Sequence, residues 1–161
     1  MQARTLVMHD LHVNIRKASL RDLPAIRKLN DKFKFETGRD WKRLIISKHS
    51  EMFVLTDDES IVGFTGLIRY DWNNTLQILN IFIEPKHRRK GLGFALVKFL
   101  IERSRKNSYR CLIAEAPSLN PVVDLYKKAG FRQCGYNDRY YSNSGKEIAL
   151  WMSLDIAQPK L

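Results

Sequence analysis

Gln77-Ile78-Leu79-Asn80-Ile81-Phe82-Ile83-Glu84-Pro85-Lys86-His87-Arg88-Arg89-Lys90-Gly91-Leu92-Gly93, running on from Phe94 to Lys106, is the stretch whose reading decides the fold. Gln77 to Ile83 is a short apolar run rich in β-branched residues, the character of a buried strand, and Glu84-Pro85 stops it because proline offers no ladder donor. From Leu92 the apolar side chains fall at Leu92, Ala95, Leu96, Phe99 and Leu100, which is helical spacing. Between strand and helix lies a loop of cations and glycines. A helix start places main-chain N–H groups, the positive end of the dipole and side-chain charge around one point, and that suits a phosphate. Two familiar phosphate loops do not fit. Phe94 follows Gly93 where a Walker loop needs Lys, and Leu96 stands where a dinucleotide fingerprint needs its third glycine.

Arg88-Arg89-Lys90-Gly91-Leu92-Gly93 does fit the Arg/Gln-x-x-Gly-x-Gly/Ala pattern and resembles the coenzyme loop of the GNAT N-acetyltransferases. Asn120-Pro-Val-Val-Asp-Leu-Tyr-Lys-Lys-Ala-Gly-Phe131 is similar to that family's second signature, with Val123 in place of its usual Ala. The C-terminal part narrows the likeness in two directions. Tyr136 to Trp151, with its closing Glu147-Ile148-Ala149 and Trp151, resembles the streptothricin acetyltransferases. Leu79-Asn80-Ile81 and the Tyr140-Tyr141 pair resemble the ribosomal-protein N-terminal acetyltransferases, and Leu79 and Asn80 replace the acidic residues that streptothricin enzymes carry on the central strand.

The chain has 161 residues, 44% hydrophobic and 28% charged, which is the composition of one globular domain. We expect a leader at 1–12, the domain at 13–155 and a tail at 156–161. No apolar run approaches a bilayer span and no signal-peptide core is present, so a cytoplasmic protein without membrane contact is expected. A net charge of +11 raises the question of nucleic acid. The cations are spread along the chain, however, no nucleic-acid motif is present, and coenzyme A is itself a polyanion. Cys111 and Cys134 fit neither a zinc nor a redox spacing, so two reduced, mostly buried thiols are expected. His9, His12 and His49 suggest no metal, and His87 reads as a solvated side chain.

Taken in order, Val13 to Ala18 reads as a strand. Ser19 to Asp22 has capping-box spacing ahead of a helix carrying Leu23, Ile26, Leu29 and Phe33. Asp40 caps a second helix through about His49, with Trp41 and Phe35 in the core. Strands follow at 51–56 and 61–70, then the central strand and helix, a strand at 109–115, a helix from Asn120-Pro121 closed by Gly130, and strands at 131–136 and 147–154. The order βααβββαβαββ implies an α+β, three-layer architecture, and the resemblance implies a mixed, mostly antiparallel sheet with splayed central strands flanked by helices.

The resemblance also implies an enzyme that moves an acetyl group from acetyl-CoA to a primary amine of a small molecule, such as an aminoglycoside- or streptothricin-like antibiotic, or of a protein N-terminus. The coenzyme would rest on Ile81, Phe82 and Ile83, on Arg88, Arg89, Lys90, Gly91, Leu92, Gly93, Phe94 and Ala95, and on Asn120 and Tyr126. The main-chain N–H of Phe82 or Ile83 would donate to the thioester carbonyl. Tyr126 would protonate the leaving thiolate, while Glu115 would accept the amine's proton or Asn80 would hold a water that does. Tyr140 and Tyr141 would line the acceptor slot or pack their loop onto the sheet. No metal is called for, and both monomer and homodimer are left open. A coenzyme-binding module without catalysis is the alternative.

Overall fold

The computed structural model describes residues 4–8, 11–32 and 38–156. The expectations for His9, Phe33, Phe35, the side chain of His12 and the tail beyond Ile156 lie outside them. Among the described residues are eight strands and four α-helices, in this order: β1 (Arg4–Met8), β2 (Leu11–Lys17), α1 (Leu23–Asn30), α2 (Trp41–Ile46), β3 (Ser50–Asp57), β4 (Ser60–Tyr70), β5 (Thr75–Ile83), α3 (Leu92–Lys106), β6 (Cys111–Pro117), α4 (Val122–Lys128), β7 (Arg132–Asn137) and β8 (Ala149–Asp155). The sheet order is β1-β2-β3-β4-β5-β6-β8-β7. β5 and β6 pair in parallel and the recorded pairings of the other strands are antiparallel. This is the mixed, mostly antiparallel α+β sheet that the sequence implies. One element was not foreseen. Arg4–Met8 pairs antiparallel with β2, from Arg4 opposite Ile15 to Met8 opposite Leu11, so β2 begins two residues before the expected Val13.

The chain divides into two compact units, residues 1–68 with 80–96, and residues 69–79 with 97–161. In the first, an aromatic stack fills the core: Trp41 meets Phe64 edge-on at 5.2 Å, and Phe64 stacks on Phe82 at 5.4 Å. Trp41 is therefore core, as expected. α2 ends at Ile46 rather than His49, and Asp40 caps it, Oδ1 accepting from Arg43 N at 3.0 Å. Ahead of α1 a 3-10 turn, Leu20–Asp22, carries the expected box, with Ser19 N donating to Asp22 Oδ2 at 2.7 Å.

Asp22 does more than cap. Its two oxygens accept from Arg16 on β2 at 2.7 and 2.8 Å, and it is nearly buried. The Arg16 hydrogen bonds, offset in part by burial, lower its pKa from 3.8 to about 2. A depressed carboxyl stabilises the fold above its unfolded value and loses that contribution as the pH falls from about 4 towards 2. Arg16 is partly in solvent, which screens the pair, so Asp22→Asn is expected to cost about 1–2 kcal/mol at pH 7 and almost nothing at pH 2. Urea melts at the two pH values check this.

In the second unit the β5–β6 ladder runs from Thr75 opposite Cys111 to Ile78 opposite Ala114 and ends there, while β6 goes on pairing with β8 as far as Pro117. α3 buries Leu92, Leu96, Val97, Leu100 and Ile101. The buried stripe is turned from the expected one, because Val97 and Ile101 flank the 92/96/100 line on the side away from Ala95 and Phe99, which are half-exposed. The thiols also differ from expectation: both are free, Cys111 is buried, but Cys134 is exposed. Cys134 lies on β7, at the end of the strand order, where most side chains face water.

Candidate active site

In the first unit the phosphate loop forms at the junction of β5 and α3. Glu84 N donates to Val62 O at 2.8 Å, holding the end of β5 against β4, and a 3-10 turn covers Pro85–His87. The chain then reverses through left-handed backbone at Arg89 (φ 64) and Gly91 (φ 81). Gly91 supplies that conformation without strain, whereas Arg89 adopts it at some cost, a pattern that collects at ligand loops. The helix ladder begins with Ala95 N donating to Gly91 O at 3.0 Å, so the amides of Leu92 and Gly93 precede it and point out of the helix start. Lys90 and Arg89 are exposed beside them.

Arg88, expected to supply charge, is turned back. Its Nε donates to Ile83 O at 2.8 Å and its guanidinium lies 5.8 Å from the centre of the Phe82 ring. It therefore braces the strand end that it follows. His87 corrects the sequence reading outright: its side chain is 12% exposed, with Nδ1 3.2 Å from Glu84 and Nε2 3.6 Å from Asp57. Nothing local announces this, because Asp57 lies thirty residues away on β3.

Asn80, Ile81, Phe82 and Ile83 are the last residues of β5 before the loop. Asn80 O accepts from Thr65 Oγ1 at 2.6 Å, but its side-chain Oδ1 is buried without a hydrogen-bond partner. A buried acceptor left open is costly unless something else donates to it, so Oδ1 fits a water or an amine N–H.

In the second unit, Tyr126 on α4 is 2% exposed, with its ring 5.1 Å from that of Phe131. Burial, reinforced by the neighbouring Tyr141, pushes its hydroxyl well above the ordinary tyrosine value, so the phenol keeps its proton at neutral pH. Tyr141 and Tyr140 meet edge-on at 5.0 Å, and Tyr140 is exposed. α4 starts one residue later than expected, with Pro121 as its cap, and Asn120 Oδ1 accepts from Val122 N at 3.0 Å. That engagement fixes the Asn120 amide and leaves its NH₂ as the donor.

Glu115 lies on β6 opposite Trp151 of β8, on the face that also carries Gln77 and Ile113. The opposite face, Leu76, Ile78, Leu112, Ala114, Ala116 and Met152, is buried throughout. Glu115 therefore belongs to the half-open side of the sheet. Two neighbouring side chains stand on that side. Tyr70 OH donates to Gln77 Oε1 at 2.6 Å, and the half-exposed Trp151 ring covers Gly135, where an added Cβ would lie 2.9 Å from it. Strand alternation shows the parity of these positions, but only the register makes them neighbours.

The model of the acetyltransferase (GNAT) family matches residues 16–131. The streptothricin acetyltransferase of Streptomyces lavendulae is 30% identical over 84% of this chain and 75% of that protein. The ribosomal protein bS18 alanine N-acetyltransferase of Escherichia coli is 33% identical over 50% of this chain and 55% of its own length. The crystal structure of the S18-alanine N-acetyltransferase from Escherichia coli superposes with a TM-score of 0.77 at 25% identity, covering 92% of this chain and 98% of that one. Among the described residues no helix is long and apolar enough to cross a membrane.

Proposed function

Given that the chain belongs to the acetyltransferase (GNAT) family, we propose that it transfers the acetyl group of acetyl-CoA to a primary amine, on a small cationic molecule or at a protein N-terminus, in the cytoplasm. The observation that carries the coenzyme reading is the left-handed turn at Arg89 and Gly91 feeding directly into the first turn of the 15-residue α3. It gathers amides and cations as a diphosphate requires. Arg89, Lys90, Gly91, Leu92, Gly93, Phe94 and Ala95 form this end of the site, with Arg88 bracing it, and Asn120 offers its NH₂ to the pantetheine.

The same reading assigns the chemistry to the chain's own groups. Ile81 to Ile83 run the coenzyme arm alongside β5, and the amide of Phe82 or Ile83 stabilises the charge that develops on the thioester oxygen. The buried hydroxyl of Tyr126 delivers the proton to the departing thiolate. Glu115 takes the proton of the amine, or a water held at Asn80 Oδ1 does. A carboxylate on a half-open face also favours a cationic acceptor. Tyr140 and Tyr141 border the acceptor.

Thiol release from acetyl-CoA tests this against a panel of amines: a streptothricin-type antibiotic, a polyamine, and peptides with a free N-terminal alanine. Release with one class identifies the acceptor. Tight acetyl-CoA binding with no release across the panel would instead favour a coenzyme-binding module without catalysis.

A further inference from the structure

Trp151 stands uncovered at a place where a strand is otherwise enclosed. β8 lies between β6 and β7, yet the indole is 43% exposed. Three features of the second unit hold the ring there. The β7–β8 register shifts between Gln133 and Gly135, a bulge that brings Gly135 opposite Trp151, and bulges of this kind re-aim side chains. At Gly135 an added Cβ would lie 2.9 Å from Trp151 Cε3, 3.6 Å from Cζ3 and 3.7 Å from Cδ2. The backbone of Gly135 is not left-handed, so it is the closeness of the ring that requires glycine. Cys134 Sγ donates to Trp151 O at 3.3 Å and ties the two strands at the same point. The benzo edge therefore leans over β7, away from Glu115, which faces Trp151 from β6. Cross-strand partners have Cβ atoms about 5 Å apart, so this lean keeps a space open between the carboxylate and the indole. Ile113, two residues back on β6, borders that space on the same face.

We propose that Trp151 is an acceptor-binding residue and Gly135 the positioning residue that seats it, and that the pair selects a primary amine carried on an unbranched methylene chain. The inference rests on the reading that Glu115 faces the reacting amine of an acetyl transfer. An ammonium between the two side chains gains twice, from the carboxylate that is to take its proton and from the negative face of the indole. Its methylene chain covers the ring and Ile113, apolar surface that otherwise faces water. An α-amino group brings a carbonyl oxygen one carbon away, turned towards the same carboxylate and the same negative ring face. A side chain at residue 135 would push the ring back over Glu115 and close the space.

Thiol release from acetyl-CoA with diaminopentane, and with a short peptide bearing an N-terminal alanine, tests this on wild type, Trp151→Ala, Trp151→Phe and Gly135→Ala. Wild type is expected to prefer the diamine by at least about tenfold in kcat/KM. The diamine KM should rise about tenfold in Trp151→Ala and about fivefold in Gly135→Ala, while Trp151→Phe recovers most of the loss. KM for acetyl-CoA should stay within about twofold throughout, whereas general damage to the fold would move both KM values and the melting temperature. Should Trp151→Ala fail to fold, the Gly135→Ala result decides alone. A diamine KM within about twofold of wild type in these variants, or a wild type that prefers the peptide, would overturn the inference and leave the transfer reading intact. Absence of thiol release with any amine, wild type included, would remove both.

Discussion

Gly63→Ala is expected to lower stability by about 3 kcal/mol and to weaken acetyl-CoA binding at least tenfold, although residue 63 belongs to no part of the proposed site. A Cβ at Gly63 would lie 2.6 Å from the main-chain oxygen of Phe82, 2.9 Å from Ile83 Cδ1 and 3.4 Å from Leu55 Cδ2. The side chains can give way, but the carbonyl cannot without moving β5. β5 is fixed on both sides of that point, by Thr65 Oγ1 on Asn80 O and by Glu84 N on Val62 O. The methyl must therefore displace the strand at Phe82 and Ile83, where the thioester is proposed to lie and to which Arg88 is tied. Gly38→Ala is the control, because φ is 79° there but no atom lies within 4 Å of the added Cβ. It should cost about 1 kcal/mol and leave coenzyme affinity alone. A loss at Gly63 no larger than that at Gly38 would show that the close approach to Phe82 O is relieved without moving β5.

Tyr126→Phe is expected to reduce kcat about a hundredfold with little change in fold or in coenzyme affinity. The ring packs on Phe131 and is buried, and phenylalanine keeps those contacts. What is lost is one buried hydroxyl. Without it the thiolate must leave unprotonated or wait for water. Thiol release under saturating substrates, alongside thermal melts and acetyl-CoA titration, separates the effects. A kcat within about threefold of wild type would make Tyr126 a packing residue, and a large fall in melting temperature would show that the hydroxyl has a structural partner.

The elements were legible where their signals are local. Proline and glycine punctuate β5 and α3, Asp40 and Ser19 sit at caps, and Gly130 takes the left-handed φ of 97° that ends α4. Boundaries moved by one to three residues, as at α4, where the side chain of Asn120 bonds to Val122 and leaves Pro121 as the cap. β1 was missed because Arg4 to Met8 earns its strand from pairing with β2, which no local pattern reports. Cys134 was misjudged for a related reason: whether a strand residue is covered depends on the strand's place in the sheet, and β7 comes last in the order.

By itself, the sequence determined the strand, loop and helix at 77–106, the second signature at 120–131, and with them the family and the order of elements from β2 onward. Those features depend on neighbours a few residues apart, where backbone geometry and side-chain periodicity act directly. Only the tertiary structure decided that His87 stands between Asp57 and Glu84, that Arg88 braces Ile83 instead of facing outward, that Gly63 must lack a side chain, and that Glu115 shares its face with Trp151 and Gln77. All but the Arg88 contact, which closes within the loop, depend on the register of paired strands, and register is set by the whole buried face of a sheet rather than by any segment of it.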